Sequence, residues 1–255
     1  MAMIKEKRGE IEILTLSASA IGACTYEGEN IVMLLQLAKY LMKTMARIEE
    51  GSGEQLGVLM QYLVKKRDPT QDKTQILLAH FEHIARQRIH HAYRQMHQLE
   101  SSGVDKDVAF SQCSVDMAKA ARAHTKLFLA AGFAQRCERV ADPACRRVFD
   151  DLLSLFLNFE LSEMAADLSF DGYLSGEAVM ALRREVYEAM ARLRPDAVSI
   201  VDSFDICDRE LRSVLGRRDG HVYENLVKWA QMSPLNQKGL PHVEKYLKPM
   251  TQSKL

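Results

Sequence analysis

The side chains most able to move a proton lie in one short run, Tyr26-Glu27-Gly28-Glu29-Asn30, where two carboxylates flank a glycine ahead of an apolar series. A carboxylate can serve as a general acid or base. Read on residue types alone, however, this run is a capping segment with exposed acids at the start of a helix. A second group, His80, His83, His90, His91 and His97, falls at spacings that bring some of its members to one face of a helix, as a metal would require. No metal site is expected there. One helix rarely supplies a complete ligand set, and no acidic residue is spaced to finish it. Met33, Met42 and Met45 are read as core packing, and Arg146-Arg147 and Arg183-Arg184 as solvated helix faces.

The elements that must position these residues are helices. Apolar residues recur at three- and four-residue spacing, proline and glycine are scarce, and strand-like alternation is nearly absent. Ile31, Leu34, Leu35, Ala38, Leu41, Met42 and Met45 keep one face apolar over a helix that runs to Glu50. Gly51-Ser52-Gly53 breaks it, a short apolar helix follows between Leu56 and Lys65, and Asp68-Pro69-Thr70 breaks the chain again. A domain boundary is placed near Asp72. Beyond it the pattern predicts helices at about 73–99, 104–138, 143–166, 176–193 and 196–204, with shorter ones near 208–215 and 221–232. Asp142 before Pro143 reads as an N-cap with proline at the first helical position. Long helices with short connections favour an antiparallel bundle.

The whole chain narrows the function classes. Basic and acidic residues number 34 each, so no global field draws nucleic acid or anionic lipid. The five cysteines, Cys24, Cys113, Cys137, Cys145 and Cys207, are odd in number and contain no CxxC pair, which argues against a disulfide framework or a zinc site. No apolar run is long enough for a membrane span. The basic start at Lys5, Lys7 and Arg8 followed by ILTLSASAIGAC has the outline of an export signal, but Glu10 and Glu12 interrupt it. An unstructured leader is the simpler reading. At the other end, Ser253-Lys254-Leu255 is the peroxisomal import signal, read by a soluble receptor, and places the chain in the peroxisome.

Two segments carry a resemblance to a known family. CTYEGENIVMLLQLAKYLMK, from Cys24, resembles the segment of peroxisomal acyl-CoA oxidases that enters a long C-terminal helix. The stretch Val201 to Asn236, and KYLKPMTQSKL after it, look like the terminal block of the same family. The resemblance implies an all-α fold, a partial helical domain of the acyl-CoA dehydrogenase type over 24–71 followed by a C-terminal oxidase bundle over 72–252. Residues 1–23 form an unmatched leader and 253–255 the targeting signal.

The resemblance also implies a chemistry: FAD-dependent α,β-dehydrogenation of fatty acyl-CoA to trans-2-enoyl-CoA in peroxisomal β-oxidation, with O2 reduced to H2O2. Glu27 matches the glutamate that takes the pro-R α-proton, and its backbone N–H matches a donor to the thioester oxygen. Gly28, without a Cβ, fits the close approach of cofactor and substrate. Glu29 and Asn30 stand where the wider superfamily places flavin contacts, although the usual polar pattern there differs from Glu-Asn. A homodimer is the family's usual assembly. Residues 1–23 do not resemble the family, whose flavin contacts lie largely in domains upstream of the matching part. The 255-residue chain is therefore read as truncated and not expected to hold FAD alone. The rival reading is a non-catalytic peroxisomal helical module that associates with full-length oxidase subunits. An incomplete gene model is a third.

Overall fold

A computed structural model describes residues 28–51, 56–65, 68–211, 213–237 and 243–251, which are helical with no strand among them. The leader, Glu27 and Ser253-Lys254-Leu255 lie outside the described residues. The described residues fall into two compact units, one of residues 29–197 and the other of Gly28 with those from 198 onward.

The first unit is built on five long helices: α1 (Asn30–Glu49), α2 (Lys73–Ser101), then, after the short α3 (Lys106–Gln112), α4 (Ser114–Cys137), α5 (Pro143–Glu163) and, after a single turn α6 (Ala165–Ser169), α7 (Gly176–Leu193). Their starts are written in side chains. Asp72 accepts from the Gln75 amide at 2.8 Å, Asp142 from Cys145 at 2.8 Å with Pro143 next to it, and Ser175 from Ala178 at 3.2 Å. Each satisfies an amide that the first helical turn leaves unpaired.

Two predicted helices prove to be divided. The 104–138 helix bends at Cys113, whose torsions of −90° and 3° leave the helical well, and Ala109, Cys113 and Met117 are all buried across the bend. The 143–166 helix stops at Met164, where a similar torsion change starts α6. The segment expected as a short apolar helix after Leu56 is a 3-10 turn, Val58–Leu63, which buries Met60, Tyr62 and Leu63.

Antiparallel packing of α5 and α7 is visible in a ladder of side chains: Arg147 with Asp196 beyond the end of α7, Asp151 with Arg192, and Ser154 donating to Glu185. The α4–α5 pair shows the same reversal, from Cys137 donating to the Phe149 carbonyl, through the Phe133 and Phe156 rings, to the Lys126–Glu160 ion pair. One core joins Leu41 and Met45 of α1, Phe81 and Ile84 of α2, Met117 of α4 and Leu161 of α5. Ala120, Ala121, Ala130 and Ala134 let neighbouring helices approach α4 closely. Residues on both sides of Asp72 thus share this core.

The second unit starts within α8 (Ala197–Asp202) and continues through α9 (Asp208–Leu211), α10 (Val222–Met232), α11 (Pro234–Gln237), a π-helical turn Val243–Leu247 and α12 (Lys248–Thr251). Val214 is its buried apolar residue among those described, while Val201, Phe204, Tyr223 and Val227 are exposed. Arg217 pairs with Asp208 and Asp219, which shapes the turn before α10.

Candidate functional site

The EGEN run leads into α1. Gly28 has φ of 119°, inside the region that glycine alone adopts without strain. Glu29 is extended and caps the helix: its Oε2 accepts from the Val32 amide at 2.9 Å, and its carbonyl accepts from Met33 at 3.0 Å. Hydrogen bonds from the Ile31 and Val32 amides hold its carboxyl below the usual glutamate range. Asn30 is exposed at the first helical position. The capping reading of this run is therefore realised by Glu29, whose carboxylate is turned onto its own helix.

Next along α1, Ile31, Val32 and Met33 are about half exposed, and so is Tyr40. Met42 and Met45 are core residues as expected, but Met33 is not: it sits in the first turn, ahead of Ala38, where burial begins.

The helical histidines part company. His83 Nε2 lies 3.0 Å from Asp171 and its ring stacks on Tyr173 at 3.7 Å, while His80 shares a hydrogen bond with the Tyr173 hydroxyl at 3.1 Å. His97 is bonded within α2 to Ser101. Asp171 is an acidic partner that spacing along one helix does not reveal, yet among the described residues no group of three ligating side chains is placed to hold a metal ion. Arg146 and Arg147 lie on a solvated helix face as read, where they also pair with Asp150 and Asp196.

A second locus has no signature in the sequence beyond a glycine inside a helix. The 3-10 turn at Val58–Leu63 and helices α2 and α4 enclose a cleft of about 720 Å³, lined by residues that include Tyr62, Leu78, His124, Phe128 and Gly132. Tyr62 is fixed at both ends. Its carbonyl accepts from Arg86 Nε at 2.8 Å, and its hydroxyl is hydrogen-bonded to His124 Nδ1 at 2.8 Å. Burial pushes the phenol up and the His124 imidazole down, so both are neutral near pH 7.

Comparison with known proteins places this architecture. Residues 73–252 match the family model described as acyl-CoA oxidase. A Caenorhabditis elegans protein, probable acyl-coenzyme A oxidase acox-1.5, is 61% identical over 238 residues, covering 93% of this chain and 36% of the relative. Peroxisomal acyl-coenzyme A oxidase 2 of Mus musculus is 34% identical over 252 residues, 94% of this chain and 37% of the relative. Among solved structures, acyl-CoA oxidase-1 of C. elegans complexed with FAD and ATP is similar with a TM-score of 0.85 at 43% identity, over 92% of this chain and 37% of that one. The C. elegans acyl-CoA oxidase-2 bound with FAD, ascaroside-CoA and ATP gives 0.84 at 45% identity, over 91% and 35%. The chain spans about a third of the length of the curated relatives it matches.

Proposed function

This chain belongs to the acyl-CoA oxidase family, and on that premise we propose that it supplies the C-terminal third of a peroxisomal acyl-CoA oxidase, with Glu27 as the general base. The observation that carries the reading is the run Glu27-Gly28-Glu29-Asn30 at the entry to α1, in a chain alike to oxidases over nearly its whole length.

The chemistry follows from the acidity of a thioester α-carbon. Glu27 takes the α-proton, and its backbone N–H donates to the thioester oxygen on which charge grows. FAD, when bound, would supply the acceptor for the β-hydride and O2 the final oxidant, for overall products of trans-2-enoyl-CoA and H2O2. Gly28 is compatible with such a group: its φ of 119° is one that glycine reaches without strain, and it carries no Cβ to block a close approach. Asn30, exposed at the helix start, would be the side chain to hold the cofactor there, whereas Glu29 serves by fixing the helix end. The division at about Asp72, with 24–71 the end of a dehydrogenase-type helical domain and 72–252 the oxidase bundle, belongs to the same proposal. So does a homodimer.

The experiment is a chimera in which residues 24–255 replace the matching part of the 61% identical nematode relative. It is expected to release peroxide from a fatty acyl-CoA, with Glu27→Gln losing at least a thousandfold in turnover while still binding acyl-CoA, since glutamine cannot accept the proton (general acid–base catalysis alone is worth about 10²–10⁴-fold). The polypeptide Met1–Leu255 made by itself is expected to be colourless and inactive. Near-normal turnover by the Glu27→Gln chimera would move the base elsewhere. Ser253-Lys254-Leu255 is read as the address recognised by the import receptor. A reporter fused ahead of Met1 should enter peroxisomes and stay outside them once Leu255 is removed.

One observation favours the second reading, a non-catalytic module that pairs with full-length oxidase subunits. Ile31, Val32 and Met33 expose an apolar first turn of α1, with Tyr40 exposed further along, a surface suited to a partner. Co-purification of the 255-residue chain with a full-length oxidase, lost on Val32→Glu, would favour it.

A further inference from the structure

Helix α5 carries more apolar surface than its own bundle covers. Within it, Leu152 to Phe159 is a run without a single charge. Leu153, Leu157 and Leu161 are buried in the core, and Arg147, Asp151 and Ser154 meet the α7 side through Asp196, Arg192 and Glu185. The sector that remains is apolar as well. Val148, Phe149, Leu152, Leu155, Phe156 and Phe159 fall within an arc of about 120° at the helical repeat, and Asp150 and Asp151 lie off it. Phe149 is 41% and Phe159 47% exposed, and the other four are partly exposed. A helix that is apolar all round is a buried helix, yet one side of α5 faces outward.

The extent of this strip suits a protein interface. At roughly 150–250 Å² for a whole phenylalanine side chain, Phe149 and Phe159 leave about 60–120 Å² open apiece. With the four partly exposed side chains the strip reaches roughly a few hundred Å², the size at which an apolar patch marks a contact surface and the apolar centre of an interface that buries about 800 Å² per partner.

The strip also complements itself. Having no charge between Val148 and Phe159, it can lie on a copy of itself without like charges meeting. One carboxylate shares the arc: Glu163, exposed at the last residue of α5, where the helix dipole disfavours an anion. In an antiparallel pair of α5 helices about a twofold axis, the register that sets Phe149 against Phe159 of the second copy carries Glu163, one turn further on, to Cys145 in the first turn of the other helix. That is the end of a helix that favours a carboxylate.

We propose that two copies of this chain pair through the outer face of α5, antiparallel, with Phe149 of each packed on Phe159 of the other. The inference rests on the homodimer of the reading above, to which it gives a surface, and is independent of the choice of base. Peroxide release by the chimera reports on the base and the experiment below on the assembly, so the two can fail separately.

Sedimentation equilibrium of the 255-residue chain is expected to show a dimer at micromolar concentration. Phe159→Glu and, separately, Phe149→Glu are expected to raise its Kd at least about tenfold. Helical circular dichroism should be unchanged in both, since each ring is already close to half exposed. Val32→Glu on α1 is expected to leave the dimer in place. Under mild oxidation, Glu163→Cys is expected to give a disulfide-linked dimer through the exposed Cys145 of the second copy, absent when Cys145→Ser is added. A chain that stays monomeric would overturn the proposal and leave the strip to oxidase residues outside this chain. So would a dimer that both phenylalanine variants spare, one that Val32→Glu dissolves, or one in which the Glu163 variant forms no such cross-link.

Discussion

At the entry to α5 a single carboxylate does the work of a helix start. Asp142 accepts from the Cys145 amide, and that bond holds its carboxyl below the ordinary aspartate value of 3.8. Because the folded value is depressed, the stability contributed by the cap is present above pH 3.8 and is lost as pH falls through the folded value. Asp142→Ala should lower the melting temperature at pH 7 by roughly 2–4 °C, with the difference from the parent chain shrinking as the pH approaches 3. Melts followed by circular dichroism across that range check it, and a difference constant with pH would mean the charge is not what caps the helix. Glu29 uses the same chemistry at α1, which is why this acid of the EGEN run is spent on structure while Glu27 carries the proposed catalysis.

Along an element, burial decides which apolar residues matter. On α5, Leu161 is fully buried in the shared core, whereas Met180 on α7 is 52% exposed. Removing Leu161 leaves a cavity among residues that cannot all collapse into it, so Leu161→Ala should cost about 2–5 kcal/mol in urea unfolding. Met180→Ala should stay within about 0.5 kcal/mol. Comparable losses at both positions would mean that α7 packs its outer face on a partner. The ion pairs that run between α5 and α7 set register more than stability, since Arg147 and Arg192 are 56% and 41% exposed and water screens them.

Over the first unit as a whole, histidine burial makes stability depend on pH. His80, His90 and His124 are each pushed down, first of all by desolvation, with nearby positive groups adding to the effect on His80 and His90. The unfolded chain protonates these three rings near the ordinary value of 6.5, whereas the folded unit protonates them only at lower pH. Stability is therefore full above that value and falls as pH drops towards the folded values. Urea midpoints should be lower at pH 5.5 than at pH 7.5, and His124→Gln should flatten part of that slope even though it also loses the Tyr62 hydrogen bond. A midpoint unchanged over that interval would show that these rings titrate in the fold as they do in water.

What could be read without coordinates is what local chemistry controls. The three- and four-residue apolar period located the long helices, and Asp142-Pro143 and the glycines between patterns marked several of their ends, because caps and turns act through the nearest few residues. The family resemblance of the EGEN run and of the C-terminal block was legible for a different reason, since each is a contiguous stretch of sequence. The bends at Cys113 and Met164 were not legible, as the apolar period continues through both and only packing on neighbouring helices fixes the torsions there. Nor was the meeting of His83 with Asp171 and Tyr173, or of Tyr62 with Arg86 and His124. Those residues are far apart along the chain, and their side chains come together only when antiparallel helices bury a common core. The sequence alone thus determined the helical class and the family, whereas the cleft beside Tyr62 and His124 exists only once that core has closed.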